Sequence, residues 1–380
     1  MKYKVLTDFT NGSGSYGIAA SAVEKSESLP TYLRITDIYD DGTLNLDGLK
    51  SVDDPKSSNY FLQPNDIVFA RTGGSTGRNY FYDGTDGEFV YAGFLIKFSI
   101  DPQKCNPKFI KYYCQSQEYK DWVQSFNTGS TRGNINAKTF GNMPIPDFSR
   151  TRQDLLVNSL SVIDDKIAEN KKINHHLAVQ SQAIYQKLIA TSEKSEAILS
   201  DIATITMGQS PKGDTYNNDK IGLPLLNGAA DFRGKITPSK WTSDPKKIVK
   251  GGEYIFGVRA TIGLTTKVFS KYAIGRGTGS ALVKNKLYDE FLYFVLKQMF
   301  EFFENAGSGT VYVNISKNDF DNYKFDLPPE SSIEQFHFTV KPLLDLIYNN
   351  NAENERLAKL RDTLLPKLMS GEITVSQVAK

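Results

Sequence analysis

Two short stretches of this chain concentrate groups that a polyanion accepts. The first is Arg71-Thr72-Gly73-Gly74-Ser75-Thr76-Gly77-Arg78 and the second is Arg259-Ala260-Thr261-Ile262-Gly263. Each joins guanidinium groups and hydroxyls to glycines that leave backbone amides accessible, and phosphate oxygens or the acceptor edge of guanine bind such donors. Arg132 would extend the first cluster, and Lys212, Arg233 and Arg276 the second. A tight hairpin carrying a solvated arginine would have the same composition. Recurrence of the pattern in both halves of the chain favours contact with DNA.

Catalytic chemistry has no comparable foothold. The chain lacks the Asn-Pro-Pro-Tyr or Asp-Pro-Pro-Tyr motif of amino-methyltransferases, and the loop from Gly73 to Arg78 has neither the spacing nor the Lys-Ser/Thr ending of a nucleotide-binding loop. A nuclease-like pattern can be forced from Pro146-Asp147 to Glu169-Asn170-Lys171, but its second half falls in a helical stretch. His175, His176 and His337 have no spaced partner for metal ligation, and Cys105 and Cys114 are too far apart for a Cys-x-x-Cys site. Both cysteines are expected to be small buried side chains, with His175 and His176 in solvent. No catalytic residue, metal or cofactor is expected.

The elements that must hold these loops are strands. Tyr32-Leu33-Arg34-Ile35, Asp66-Ile67-Val68-Phe69 and Leu95-Ile96-Lys97-Phe98 are short runs bounded by Gly, Asp-Gly and Pro. Helical stretches intervene near Pro107 to Val123 and Tyr288 to Glu304. The length of 380 residues suits two or three domains, and a content of 39% apolar against 23% charged residues describes folded protein. A net charge of +2 argues only weakly for a nucleic-acid partner, but 14 Lys and Arg against 5 Asp and Glu lie between Ile205 and Lys286. The start of the sequence lacks the apolar run of a signal peptide, and no stretch reaches membrane-span length, so a cytoplasmic protein is expected.

An internal duplication organises the chain. A shift of 180 residues aligns Gly129 with Gly309, Asn134-Ile135 with Asn314-Ile315, Phe140 with Phe320, Asn170 with Asn350 and Lys187-Leu188 with Lys367-Leu368. Upstream, Asp66-Ile67-Val68-Phe69 followed by Arg71 parallels Glu253-Tyr254-Ile255-Phe256 followed by Arg259. Each copy ends in apolar positions alternating by three and four. Leu156, Leu160, Ile163, Ile167, Asn170, Asn174, Leu177, Ser181, Ile184 and Leu188 form the first stripe; Phe336, Val340, Leu343, Ile347, Asn350, Asn354, Leu357, Arg361, Leu364 and Leu368 form the second. The simplest partner of each helix is the other, though packing on the helix's own domain would also bury the stripe. Antiparallel pairing would set Asn170 against Asn354 and Asn174 against Asn350, where buried amides penalise wrong registers. Pro342 should kink or delay the second helix.

The segment Arg361-Asp362-Thr363-Leu364-Leu365-Pro366-Lys367-Leu368-Met369-Ser370-Gly371-Glu372-Ile373 resembles the end of the second conserved helix of type I restriction-modification specificity subunits. Leu327-Pro328-Pro329-Glu330, Asp66-Ile67-Val68-Phe69-Ala70-Arg71-Thr72-Gly73 and Gly208-Gln209-Ser210-Pro211 resemble other parts of that family. The resemblance implies an α+β chain of two target recognition domains, each followed by a long helix, with the helices paired as an antiparallel coiled coil. Its expected boundaries are 1–150, the first helix 151–194, the second domain 195–330, the second helix 331–373 and a tail 374–380. The resemblance also implies that each domain reads half of a bipartite site in double-stranded DNA. Methyltransferase and restriction subunits would dock alongside, S-adenosylmethionine being bound by the methyltransferase. A non-DNA scaffold built on the helix pair is the alternative, favoured by the near-neutral charge and disfavoured by the paired Arg-Gly loops.

Overall fold

In a computed structural model the described residues are 2–126, 133–233, 235–258, 263–306 and 315–373. The chain divides into two units, residues 1–169 with 353–380, and residues 170–352. The long helices Arg150–Thr191 and Glu330–Ser370 are each shared between units, so a unit is a head plus half of each helix.

The two heads share the strand order of their first sheet. In unit 1 an antiparallel sheet runs in the order Ser15–Tyr16, Leu95–Ser99, Asp66–Ala70 and Asn79–Tyr82. Its counterpart in unit 2 is Ala203–Met207, Thr278–Val283, Tyr254–Gly257 and Thr265–Lys267. A second sheet in each head contains one parallel pair, Thr31–Leu33 with Phe89–Tyr91 and Leu223–Leu226 with Tyr272–Ile274. The central strands Asp66–Ala70 and Tyr254–Gly257 are buried throughout, which explains their near-continuous apolar sequence. Asp66 and Glu253, at equivalent places before and at the edge of these strands, are both buried. Asp66 accepts bonds from the Gln63 amide and Ser99 Oγ and pairs with Lys97, while Glu253 accepts from the Lys250 amide and Ser280 Oγ. A buried carboxylate is tolerated because these donors replace water.

Each head buries both helices. In unit 1 the core around Phe69, Phe98, Phe109 and Phe140 includes Leu156, Val157 and Leu160 from the first helix and Leu365, Leu368 and Met369 from the second. In unit 2 Tyr185 lies 4.8 Å from Phe294 in a stacked pair and joins Ile333, Phe336, Val340 and Leu344. The helices therefore pair antiparallel within each unit and also pack on the heads. At the seam of unit 2, Asn350 Nδ2 donates to Asn174 Oδ1 (2.8 Å), and Asn174 Nδ2 donates to Asn351 Oδ1 (2.9 Å). This is the expected pairing of Asn174 with Asn350. Asn170 is also buried.

Pro342 does not delay the second helix, which begins at Glu330 and continues to Ser370. The ring is on an exposed face, where water can bond the carbonyl it frees, while Phe336, Val340 and Leu344 on the buried face hold the turn before and after it.

One charge network fastens the head of unit 1 to its helices. Asp164 accepts from Tyr112 Oη (2.9 Å), Lys111 Nζ (3.2 Å) and Arg361 Nη1 (3.1 Å). Burial opposes ionisation of Asp164, but the charges of Lys111 and Arg361, with the bonds from Tyr112 and Arg361, outweigh it and hold the carboxyl below its ordinary range. A lowered folded-state pKa stabilises the fold above the unfolded value, and that contribution disappears as pH falls through the folded value. Arg361→Ala should cost roughly 2 kcal/mol in chemical denaturation, a fully buried pair discounted for the residual exposure of both groups. Asp164→Asn should flatten the acid limb of the stability profile below about pH 5; an unchanged acid limb would place the acid sensitivity elsewhere.

Candidate nucleic-acid interface

The central strand of the first head delivers Arg71 to a junction of three segments. The Arg71 amide donates to the Phe94 carbonyl (3.0 Å), the Arg71 carbonyl accepts from the Ile135 amide (2.9 Å), and Thr72 bridges Asn134. The guanidinium lies over the Tyr16 ring, 5.0 Å from its centroid, and Nη2 reaches Asn134 Oδ1 at 3.5 Å. Nε is buried with no hydrogen-bond partner among the described residues. The Tyr16 hydroxyl accepts from the Ala137 amide (3.2 Å), a first-turn amide of the helix Ala137–Gly141 that has no partner within that helix. Thr76 Oγ1 donates to the carbonyls of Gly73 and Gly133 and closes the loop after Thr72. Gly77, at φ +87°, requires a residue without Cβ, because a side chain would also strike Val123.

Arg78 is engaged within the head. Its Nε donates to Asp40 Oδ1 (2.6 Å) and its Nη1 to the Ile38 carbonyl (3.2 Å). Asp40 is 84% exposed, and such a solvent-facing pair contributes at most about 1 kcal/mol, so a phosphate can compete for this arginine. Arg132 and Arg259 lie outside the described residues.

In the second head three segments bearing cations are tied together through the backbone. Arg276 sits on the turn between Tyr272–Ile274 and Thr278–Val283, exposed and without a side-chain partner among the described residues. Gly277 donates its amide to the Asn227 carbonyl (3.1 Å), and the Asn227 amide donates to the buried Asp231 carboxylate (2.8 Å), two residues before the exposed Arg233. The Gln209 amide donates to the Ile274 carbonyl (3.0 Å), three residues before the exposed Lys212.

Backbone hydrogen bonds give an alignment of the heads that differs from the one suggested by sequence. The Arg71 amide bonds Phe94, and the Val258 amide bonds Gly277 (3.1 Å) in the same way. Arg71 is thus equivalent to Val258, not Arg259, because the strand pairings Ala70 with Leu95 and Gly257 with Thr278 leave no room for an inserted residue. By the same register Tyr16 corresponds to Met207 and Gly93 to Arg276. Gly17 and Gly208 also correspond: a Cβ on Gly17 would run into the carbonyl oxygens of Tyr91 and Ala92, and one on Gly208 into those of Gly275 and Thr278. Sequence reasoning missed Tyr16 and Asn134 as neighbours of Arg71. Aligning Gly17 with Gly208 would have pointed to Tyr16.

Among the described residues no three His, Cys, Asp or Glu side chains are placed to hold a metal ion. Burial pushes the Cys105 thiol up to about 12 and Cys114 well above its usual value, so neither is a ready nucleophile. His175 and His176 are exposed, and His337 Nδ1 is hydrogen-bonded to Glu290 at 2.5 Å. No described helix is long and apolar enough to cross a membrane.

The sequence profile of the type I restriction modification DNA specificity domain matches this chain twice, over residues 31–178 and 192–360. The MjaX specificity subunit of a type I restriction enzyme from Methanocaldococcus jannaschii is 25% identical over 363 residues, covering 88% of this chain and 85% of the relative. The MjaIX specificity subunit from the same organism is 24% identical over 306 residues, covering 71% and 70%. The crystal structure of a type I restriction-modification system S subunit from M. genitalium has the same fold, with a TM-score of 0.56 at 16% identity, covering 97% of this chain and 95% of that one.

Gly17→Ala and Gly208→Ala should each lower stability by about 1 to 3 kcal/mol, the usual cost of forcing a methyl into a filled space. Each should also weaken duplex binding by displacing the turn that carries Phe94 or Arg276. Thermal melting of the two variants beside Gly74→Ala, where the space around the new methyl is open, checks this; equal melting temperatures for all three would mean the turn contacts are loose.

Proposed function

Because the chain belongs to the type I restriction-modification DNA specificity family, we propose that it is the sequence-reading subunit of such a system, with each head reading one half of a bipartite target. The observation that carries this is the duplicated head, in which the same central strand and glycine-anchored turn present cationic loops of different sequence. A shared scaffold with divergent loops suits two readers of different half-sites. Arg71, Thr72 and Arg78, with Arg132, would serve the first half-site; Lys212, Arg233 and Arg276, with Arg259, the second.

In this reading the chain supplies no catalytic group. Methyltransferase subunits, binding S-adenosylmethionine, would modify the DNA it selects, and restriction subunits would cleave unmodified DNA in the cytoplasm. A scaffold that does not bind DNA is disfavoured by the double match to a DNA specificity family.

The complete chain, assembled with its methyltransferase subunits, should bind bulk duplex with an affinity that falls linearly on a logarithmic salt scale, about 0.9 per phosphate neutralised. Replacing residues 1–150 with the corresponding head of a relative should then alter one half of the methylated target and leave the other intact. Methylation mapping decides: a simultaneous change in both halves would replace two independent readers with one composite surface.

A further inference from the structure

The geometry points to a division of labour between the heads: Arg71 is a braced, base-reading guanidinium, whereas Arg276 contacts the DNA backbone. The inference rests on the reading of the heads as DNA readers and names which residue carries sequence information. A guanidinium discriminates a base by offering two parallel donors to guanine O6 and N7, which requires its plane to be held before contact. Arg71 meets that requirement. Its backbone is bonded on both sides, to Phe94 and Ile135, and its guanidinium is within cation–π range of Tyr16. Tyr16 is itself held by strand pairing with Ile96 and by the Ala137 amide. Nη2 makes one long contact to Asn134, at the limit of a hydrogen bond, so its donors are not consumed within the head.

At the equivalent positions the second head carries other residues. Met207 stands where Tyr16 does and the buried Val258 where Arg71 does, so neither the ring nor the braced cation is present at those positions. Its described cation on the equivalent turn is Arg276, which takes the place of Gly93 and is flanked by Gly275 and Gly277. The turn's backbone is anchored to Leu226 and Asn227, but the side chain is solvated and stacks on no ring among the described residues. A solvent-exposed guanidinium suits phosphate oxygens, which accept from many directions and carry no sequence information.

Four variants of the complete chain, each assembled with the methyltransferase subunits and each checked for a wild-type melting temperature, test the division on a library of duplexes. Arg71→Lys keeps the charge but removes the planar fork. It should lower discrimination at one base pair of the first half-site by about 10- to 100-fold with the salt slope unchanged. Tyr16→Leu, which leaves Arg71 in place, should lose discrimination at that same base pair to a lesser degree. Arg276→Lys should leave the target unaltered. Arg276→Ala should weaken all sequences alike and reduce the salt slope by about 0.9. Undiminished discrimination in Arg71→Lys, or loss at a single base pair in Arg276→Ala, would overturn the assignment while leaving the heads as readers. A wild-type complex with neither sequence preference nor salt slope would instead sink the DNA-reading function itself.

Discussion

Neither head closes its own core. Each leaves an apolar face that is covered by two helix segments running in opposite directions, one from each long helix. In unit 1 these contribute Leu156 and Leu160 on one side and Leu365, Leu368 and Met369 on the other; in unit 2 they contribute Tyr185 against Ile333, Phe336, Val340 and Leu344. Burying side chains of this size stabilises a fold by about 1.5 to 3 kcal/mol each, so the helices are as much part of the heads as the strands are. The duplicated halves of the sequence therefore do not fold as two successive beads. Unit 1 takes part of its cover from the end of the second helix, whereas unit 2 is one continuous stretch that includes the end of the first helix and the start of the second.

Polar contacts add orientation to this apolar closure. In unit 1 Asp164 gathers Lys111, Tyr112 and Arg361, so two residues of the head and one of the second helix share a carboxylate carried by the first helix. In unit 2 the head residues Lys267 and Asp289 pair at 2.5 Å, and Lys267 lies over the rings of Tyr254 in the head and Tyr348 in the second helix. In unit 1 a shift of head against helix would strip Asp164 of partners and leave a charge uncompensated near the interior, which penalises that shift. The amides of Asn174 and Asn350 act similarly along the seam of unit 2.

The candidate interface reverses this economy. Packed features are repeated between heads: the buried carboxylates Asp66 and Glu253, the close-contact glycines Gly17 and Gly208, and the strand register around them. Residues at the loop tips are not repeated, with Arg71 opposite Val258 and Gly93 opposite Arg276. Packing constrains the former, because an error there costs stability whatever DNA is bound. Arg276 faces solvent and can change without unfolding the head.

The duplication, the helical stripes, the pairing of Asn174 with Asn350 and the α+β character of the heads were all legible in the sequence. Each is a periodic or local property: an amphipathic stripe needs a partner of matching period, and a seam amide needs another amide. What only the tertiary structure decided was non-local. Pro342 sits in an unbroken helix because its exposed face is the one that tolerates a lost hydrogen bond, and exposure depends on what covers the other side. Arg71 aligns with Val258 instead of Arg259 because cross-strand hydrogen bonds count residues strictly, whereas a sequence comparison slides past one without cost. Tyr16 and Arg71 are 55 positions apart in the sequence and come together only because the strands carrying them flank Leu95–Ser99 in one sheet. Sequence sets which residues can interact, but the register of the folded sheet selects which of them do.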